Sequence, residues 1–141
     1  MGAWGTGIFE NDSAADFLWE YEDAGVGAIV QAFDMVREGK AAGYIEADAA
    51  SRGLAAAETV AVSHGLTSGS LDEEDLNSMK VHELDVRALV KGPEMALATV
   101  GEVTSSGGKS ELYDLWSESD DLASWLSSVS NLRTRLEGIA Q

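Results

Sequence analysis

Carboxylates are the one chemically capable residue type that this chain holds in quantity, with 25 Asp and Glu against 9 Lys and Arg and no cysteine. Asp12, Asp16 and Glu20 recur at four-residue intervals, and Glu111, Asp114 and Glu118 at intervals of three and four. Either spacing sets the acids on one face of a helix. Carboxylates from two facing helices can hold Mg²⁺ or Mn²⁺, because hard cations take oxygen ligands, and a divalent-metal-dependent hydrolase is the enzyme such a pair would serve. A di-iron centre needs Glu-x-x-His pairs, and the sequence contains neither these nor an HExxH pattern nor an EF-hand loop. A solvated helix face explains the same spacing more simply and is the preferred reading. No catalytic, cofactor-binding or metal-ligating residue is therefore assigned.

Other chemistry is thinner. Without cysteine there is no disulfide, no thiolate zinc site and no cysteine nucleophile. His64 falls near the end of an apolar helical run, where a cation favours the helix dipole, and reads as structural. His82 lies in a poorly patterned stretch and is expected to be exposed. Gly2, Gly5 and Gly7 punctuate the opening. A phosphate-binding loop needs a preceding strand, so a tight turn that tucks Trp4 onto the helices is expected, with Phe9 as a second anchor. Met1-Gly2…Thr6 fits the loose myristoylation pattern, but one acyl chain without a basic patch anchors only marginally. Asn11-Asp12-Ser13 fits the glycosylation pattern, and helix capping accounts for it better.

A formal net charge of −16 bears on partners. Residues 1–36 contain no Lys or Arg, and the stretch between Lys109 and Arg133 carries Glu111, Asp114, Glu118, Asp120 and Asp121 without a base. Nucleic-acid binding needs clustered basic residues and is excluded. Two acidic surfaces are expected instead, of the sign that speeds encounter with a basic protein. Trp19 stands beside Asp16 and Glu20 on a helix that already buries Phe17, Leu18 and Tyr21. It either anchors a partner or packs under the opening loop, and packing is preferred. The candidate partner-binding residues are Asp16, Trp19, Glu20, Asp114, Glu118, Asp120 and Asp121.

The elements that must position these residues read as helices throughout. Ala14, Phe17, Leu18 and Tyr21 mark a first helix, with Ser13 and Asp16 at capping-box spacing. Val26, Ile29, Val30, Phe33 and Val36 mark a second that begins after Gly25 or Gly27, with Gly39 as its stop. A third, roughly Glu46 to His64, is apolar over most of its circumference with a narrow polar stripe of Asp48, Ser51, Arg52, Thr59 and Ser63. Such a helix is central, and its alanines allow close approach. Asp72-Glu73-Glu74-Asp75 suits a helix N-terminus. From Leu76 to Val90 the pattern of Leu76, Met79, Leu84, Val86, Leu89 and Val90 is weak, and it leaves open one broken helix or two short ones. Pro93 opens a helix through Val103, Ser110 caps a short one with Leu112, Leu115 and Trp116, and a long apolar stripe runs from Leu122 through Trp125 to Ile139.

The opening Gly2-Ala-Trp-Gly-Thr-Gly-Ile-Phe-Glu-Asn-Asp12 and the following Ala15-Asp16-Phe17-Leu18 resemble the signature of a family of small bacterial proteins known only as a domain of unknown function. Ser110-Glu-Leu-Tyr-Asp-Leu-Trp116 and Trp125…Leu132…Arg135-Leu136 resemble its C-terminal half. The resemblance implies a helical bacterial protein and transfers no catalytic residue. The expectation is an all-α, single-domain bundle over residues 1–141, with five to seven helices and the glycine-rich loop packed on it. A cytoplasmic location is expected from the lack of cysteine and of a basic start followed by an apolar run, and apolar stretches such as Leu54 to Ala57 are too short to span a membrane. The leading functional expectation is a non-enzymatic protein-binding module, an inhibitor or immunity-type protein for a basic partner, without cofactor. A metal-dependent hydrolase and a structural or regulatory homo-oligomer are the alternatives.

Overall fold

A computed structural model describes residues 5–69 and 71–140. The described residues form eight helices: α1 (Asp12–Ala24), α2 (Val26–Ala42), α3 (Ala47–Ser63), α4 (Glu73–Lys80), α5 (Glu83–Arg87), α6 (Gly92–Val103), α7 (Glu111–Ser117) and α8 (Leu122–Ile139). The all-α bundle is as the periodicity predicts. The count rises above seven because the weak middle pattern resolves into two short helices, α4 and α5. No strand occurs among the described residues. One parallel bridge ties the α2–α3 connection to the start of α7, with the Ile45 N–H donating to Lys109 O and the Glu111 N–H to Ile45 O, both at 2.9 Å.

Asn11 caps α1, its Oδ1 accepting from the Ala14 N–H at 2.8 Å, so Ser13 lies inside the helix instead of capping it. Ala14, Phe17, Leu18 and Tyr21 form the buried face, and the Tyr21 hydroxyl donates to Met79 O at 2.8 Å. Gly25 then ends α1 and starts α2 at once. Its N–H donates to Tyr21 O at 2.7 Å while its φ of +64° takes the left-handed half of the map that glycine tolerates. The expected stop at Gly39 is corrected: α2 continues to Ala42 and ends at left-handed Gly43. Gly39 is small for another reason, since Ile45 Cα would lie 3.1 Å from any Cβ placed there.

Helix α3 is the axis of the molecule and packs against each of the other seven helices. From Ala49 to Ser63 every residue but Arg52 is buried. The expected polar stripe is therefore not a solvent face. Ser51, Thr59 and Ser63 are buried, and Thr59 returns its hydroxyl to Ala55 O at 2.9 Å within its own helix. A Cβ on Gly53 would meet Val36 Cγ2 at 2.6 Å and Thr99 Cγ2 at 2.9 Å, which is how α2 and α6 come so near.

Trp116 and Trp125 stack in the core at 6.3 Å between ring centroids, and Val129, Leu132 and Leu136 continue the buried stripe of α8. Ile8 and Phe9 are also buried, while Trp4 lies outside the described residues. Of the weak middle pattern, Met79 and Val86 face the core and Leu84 and Val90 are left in solvent. His82 is half-buried instead of exposed, because the α4–α5 turn brings its ring edge-on to Tyr21 at 5.3 Å and Nε2 within 3.0 Å of Glu22 O. No helix among the described residues is long and apolar enough to cross a membrane.

Candidate functional site

Three places gather polar chemistry. The first is a cleft of about 510 Å³ between the opening loop, the segment leading into α4, and α8. Glu58 of α3 lies at its floor, 1% exposed. Arg135 of α8 grips it with both terminal nitrogens, Nη2 meeting Oε1 at 2.9 Å and Nη1 meeting Oε2. Arg135 also donates from Nε to Asn131 Oδ1 at 2.8 Å and from Nη1 to Leu66 O at 3.1 Å. A buried carboxylate without such a fork would lose its hydration and gain nothing in exchange.

Glu10, Asp72 and Asp75 add three more carboxylates around this pair. Two already have structural employment. Asp72 caps α4, its Oδ1 accepting from the Asp75 N–H at 2.8 Å. Glu10 Oε1 accepts from the Gly7 N–H at 3.0 Å, and a Cβ on Gly5 or Gly7 would collide with that carboxylate. The glycine-rich opening thus wraps an anion, and the anion is the chain's own Glu10. Burial, then Asp72 and Glu74, raise the pKa of Asp75 above its ordinary value.

The second place is the outward face of α1. Asp16 is exposed there, and Trp19 is 77% exposed, which corrects the preferred reading that it packs under the opening loop. The cause is angular: Trp19 lies almost opposite Tyr21 on the helix, and Tyr21 is fixed inward by Met79. Exposed Glu22 and Asp23 lie one turn further along on the Trp19 side. Glu20 is spoken for, since its Oε2 accepts from Arg52 Nη1 at 2.9 Å while Arg52 Nε also meets Asp48 Oδ1 at 3.1 Å. Burial works against the Arg52 charge, yet Asp48 and Glu20 outweigh it and raise the pKa.

The third place is the α7–α8 turn. Glu118, Asp120 and Asp121 are exposed and Asp114 is half-buried. The exposed phenol of Tyr44 lies near Asp114 and Glu118. Desolvation, then the carboxylates of Glu111, Asp114, Glu118 and Glu46, push its pKa up. Glu111 has turned away to cap α3, accepting from the Ala47 N–H at 2.7 Å.

The two predicted acidic sets stay apart. Helix α1 packs on α2, α3 and α4, whereas α7 packs on α3 and α8. Among the described residues no group of three or more His, Asp or Glu is placed to hold a metal ion. His64 is not the cation at the end of α3. Desolvation and the nearby Arg87 lower its pKa, and Arg87 itself takes that place, its Nε donating to Ser63 O at 2.6 Å.

A family model for a domain of unknown function, DUF4259, matches residues 2–128. The chain belongs to the DUF4259 family. No curated protein and no solved structure matches it significantly. The match takes in α1, α7 and the cleft-forming loop of this DUF4259 chain, and it ends within α8 before Arg135.

The spacing of residues did not single out Glu58 or Arg135. The signal was weak: Glu58 is the lone carboxylate in the run from Gly53 to Val62, and it borders the polar stripe of Ser51, Thr59 and Ser63. Once the structure buries that stripe a cation is required, and nothing in the sequence says which of the nine bases supplies it.

Proposed function

We propose that this DUF4259 chain is a non-enzymatic protein-binding module whose α1 face receives a basic partner, in the manner of an inhibitor or immunity-type protein. The observation that carries the reading is Trp19: a large indole, 77% exposed, held on a well-formed helix among Asp16, Glu22 and Asp23. No basic side chain among the described residues forms an ion pair with those three acids. An indole supplies apolar contact at little entropic cost and attracts a cation to its face, and the surrounding acids add charge complementarity. Tyr44 with Asp114 and Glu118 is a second acidic surface of the same kind, and exposed Asp120 and Asp121 follow in the α7–α8 turn.

The test is capture from the native lysate on the immobilised chain, run beside a Trp19→Ala variant and washed at rising salt. One cationic protein retained in near-equal amount by the parent chain, released by salt and lost with Trp19→Ala, is the expected result. Retention that ignores Trp19→Ala, or no specific retention, overturns the assignment to α1.

A further inference from the structure

Arg37, Lys40, Arg52 and Arg135 each pair with a carboxylate of the same chain. None of the other five bases forms an ion pair among the described residues, although 25 acids are available; Lys109 and Arg133 lie elsewhere, and the remaining three, Lys80, Arg87 and Lys91, are all exposed. They share one strip, residues 80–91, whose own acids are Glu83 and Asp85. The same strip leaves Val81 58%, Leu84 74% and Val90 79% exposed. Leu84 in α5 and Ala88 at its C-terminal end are four apart, on the side away from buried Val86, and Val81 is exposed in the turn before α5. Arg87 is held by Ser63 O, and apolar side chains left in solvent beside Lys80 and Lys91, which have no carboxylate partner, fit an acidic surface that presents an apolar anchor.

The chain carries such a surface itself, in Trp19 with Asp16, Glu22 and Asp23. We infer that the α1 face of one copy docks on the 80–91 strip of a second, with Trp19 against Leu84 and Val81. This rests on the reading of α1 as a face for a basic partner and names that partner. The molecule does not close the contact on itself, since both Trp19 and Leu84 stand in solvent. The strip meets α1 at its end, where His82 Nε2 lies 3.0 Å from Glu22 O and the ring packs on Tyr21, on the side of the helix nearly opposite Trp19. Where a two-fold axis lets both reciprocal contacts form at once, the assembly closes as a dimer. At about 0.15 M salt the Debye length is near 8 Å, so repulsion between the two net charges is screened while contact pairs persist.

Sedimentation equilibrium at that salt, from low micromolar to millimolar protein, tests the inference. The expected mass rises from the 14.9 kDa monomer toward twice that value. Trp19→Ala and Leu84→Glu, each checked for native circular dichroism, should weaken the dimer by about 30-fold or more. An equimolar mixture of the two variants should associate more tightly than either alone, because each supplies the half that the other lacks. A monomer at all concentrations, a dimer indifferent to both variants, or a mixture no tighter than its components overturns the inference. Titration with an octa-arginine peptide, followed by fluorescence in parent and Trp19→Ala chains, separates the two readings. A monomer that binds the peptide through Trp19 keeps the α1 face and loses the second copy, and a monomer that binds neither loses both.

Discussion

At the centre of α3 a carboxylate is 1% exposed, and on the outward face of α1 an indole is 77% exposed. Each stands on the side of the surface that its chemistry disfavours, and the chain answers only one of them. Glu58 receives a guanidinium fork from Arg135, which is held in turn by Asn131 and the Leu66 carbonyl. Trp19 receives nothing comparable. The difference follows from size of penalty. A buried charge without a counter-charge costs several kcal/mol, about the scale of a domain's whole stability, so its partner must come from the same chain. An exposed indole forgoes only about 1.5–3 kcal/mol of burial, a deficit the fold tolerates and another molecule can make good. The floor of the cleft is complete as it stands, and the α1 face is not.

The largest effect should come from breaking the inner half of this contrast. Arg135→Leu leaves Glu58 buried and alone, and should lower the unfolding free energy in urea by about 3–5 kcal/mol. Glu58→Leu combined with Arg135→Leu should recover most of that loss, because an apolar pair of similar volume removes the stranded charge. A single variant within about 0.5 kcal/mol of the parent would mean that water or another group satisfies Glu58. Next in size is Gly53→Ala. Its methyl would press on Val36 and Thr99, and the resulting strain across α2, α3 and α6 should destabilise by about 1–3 kcal/mol in the same assay.

The helical class and the central place of α3 were legible because they depend on local periodicity: an alanine-rich segment that is apolar over most of its circumference packs at the centre. Helix starts were legible where a cap preceded an apolar run, as at Ser110, or where acids opposed the helix dipole, as at Asp72 to Asp75. What could not be read depended on which residues meet across the chain. Glu58 and Arg135 are 77 positions apart, and their pairing is invisible to any helical wheel. Trp19 was misjudged for a similar reason, since its direction is set by Tyr21 reaching Met79, 58 positions away. Glu111 and Glu20 looked like members of acidic faces until the fold spent one on the N-terminus of α3 and the other on Arg52. Spacing gathered the acids correctly on their helices, but it had no means of telling the committed ones from the uncommitted.

A smaller effect should follow pH at His64, where the buried end of α3 meets solvent. Its Nε2 is buried without a hydrogen-bond partner among the described residues. Its folded pKa is lowered, chiefly by desolvation and then by Arg87, so the unfolded chain takes up the proton first. The stability that neutral His64 contributes is therefore present above the ordinary histidine value and is lost as pH falls through it toward the folded one. His64→Gln should flatten the decline in melting temperature between neutral and mildly acidic pH. An unchanged slope would place the proton uptake elsewhere.

The smallest stability effect belongs to the outer half of the comparison, and its smallness is the point. Trp19→Ala should leave the urea midpoint within about 0.5 kcal/mol of the parent, because the side chain buries little and alanine is the better helix former. A loss above about 2 kcal/mol would show that the indole is anchored within its own molecule, and the α1 face would then cease to be a free surface. A residue that large is ordinarily kept out of water when nothing else requires it there. If removing Trp19 weakens association strongly and stability hardly at all, its role is assigned to contact with another molecule by two independent measurements, neither of which a merely structural tryptophan could satisfy.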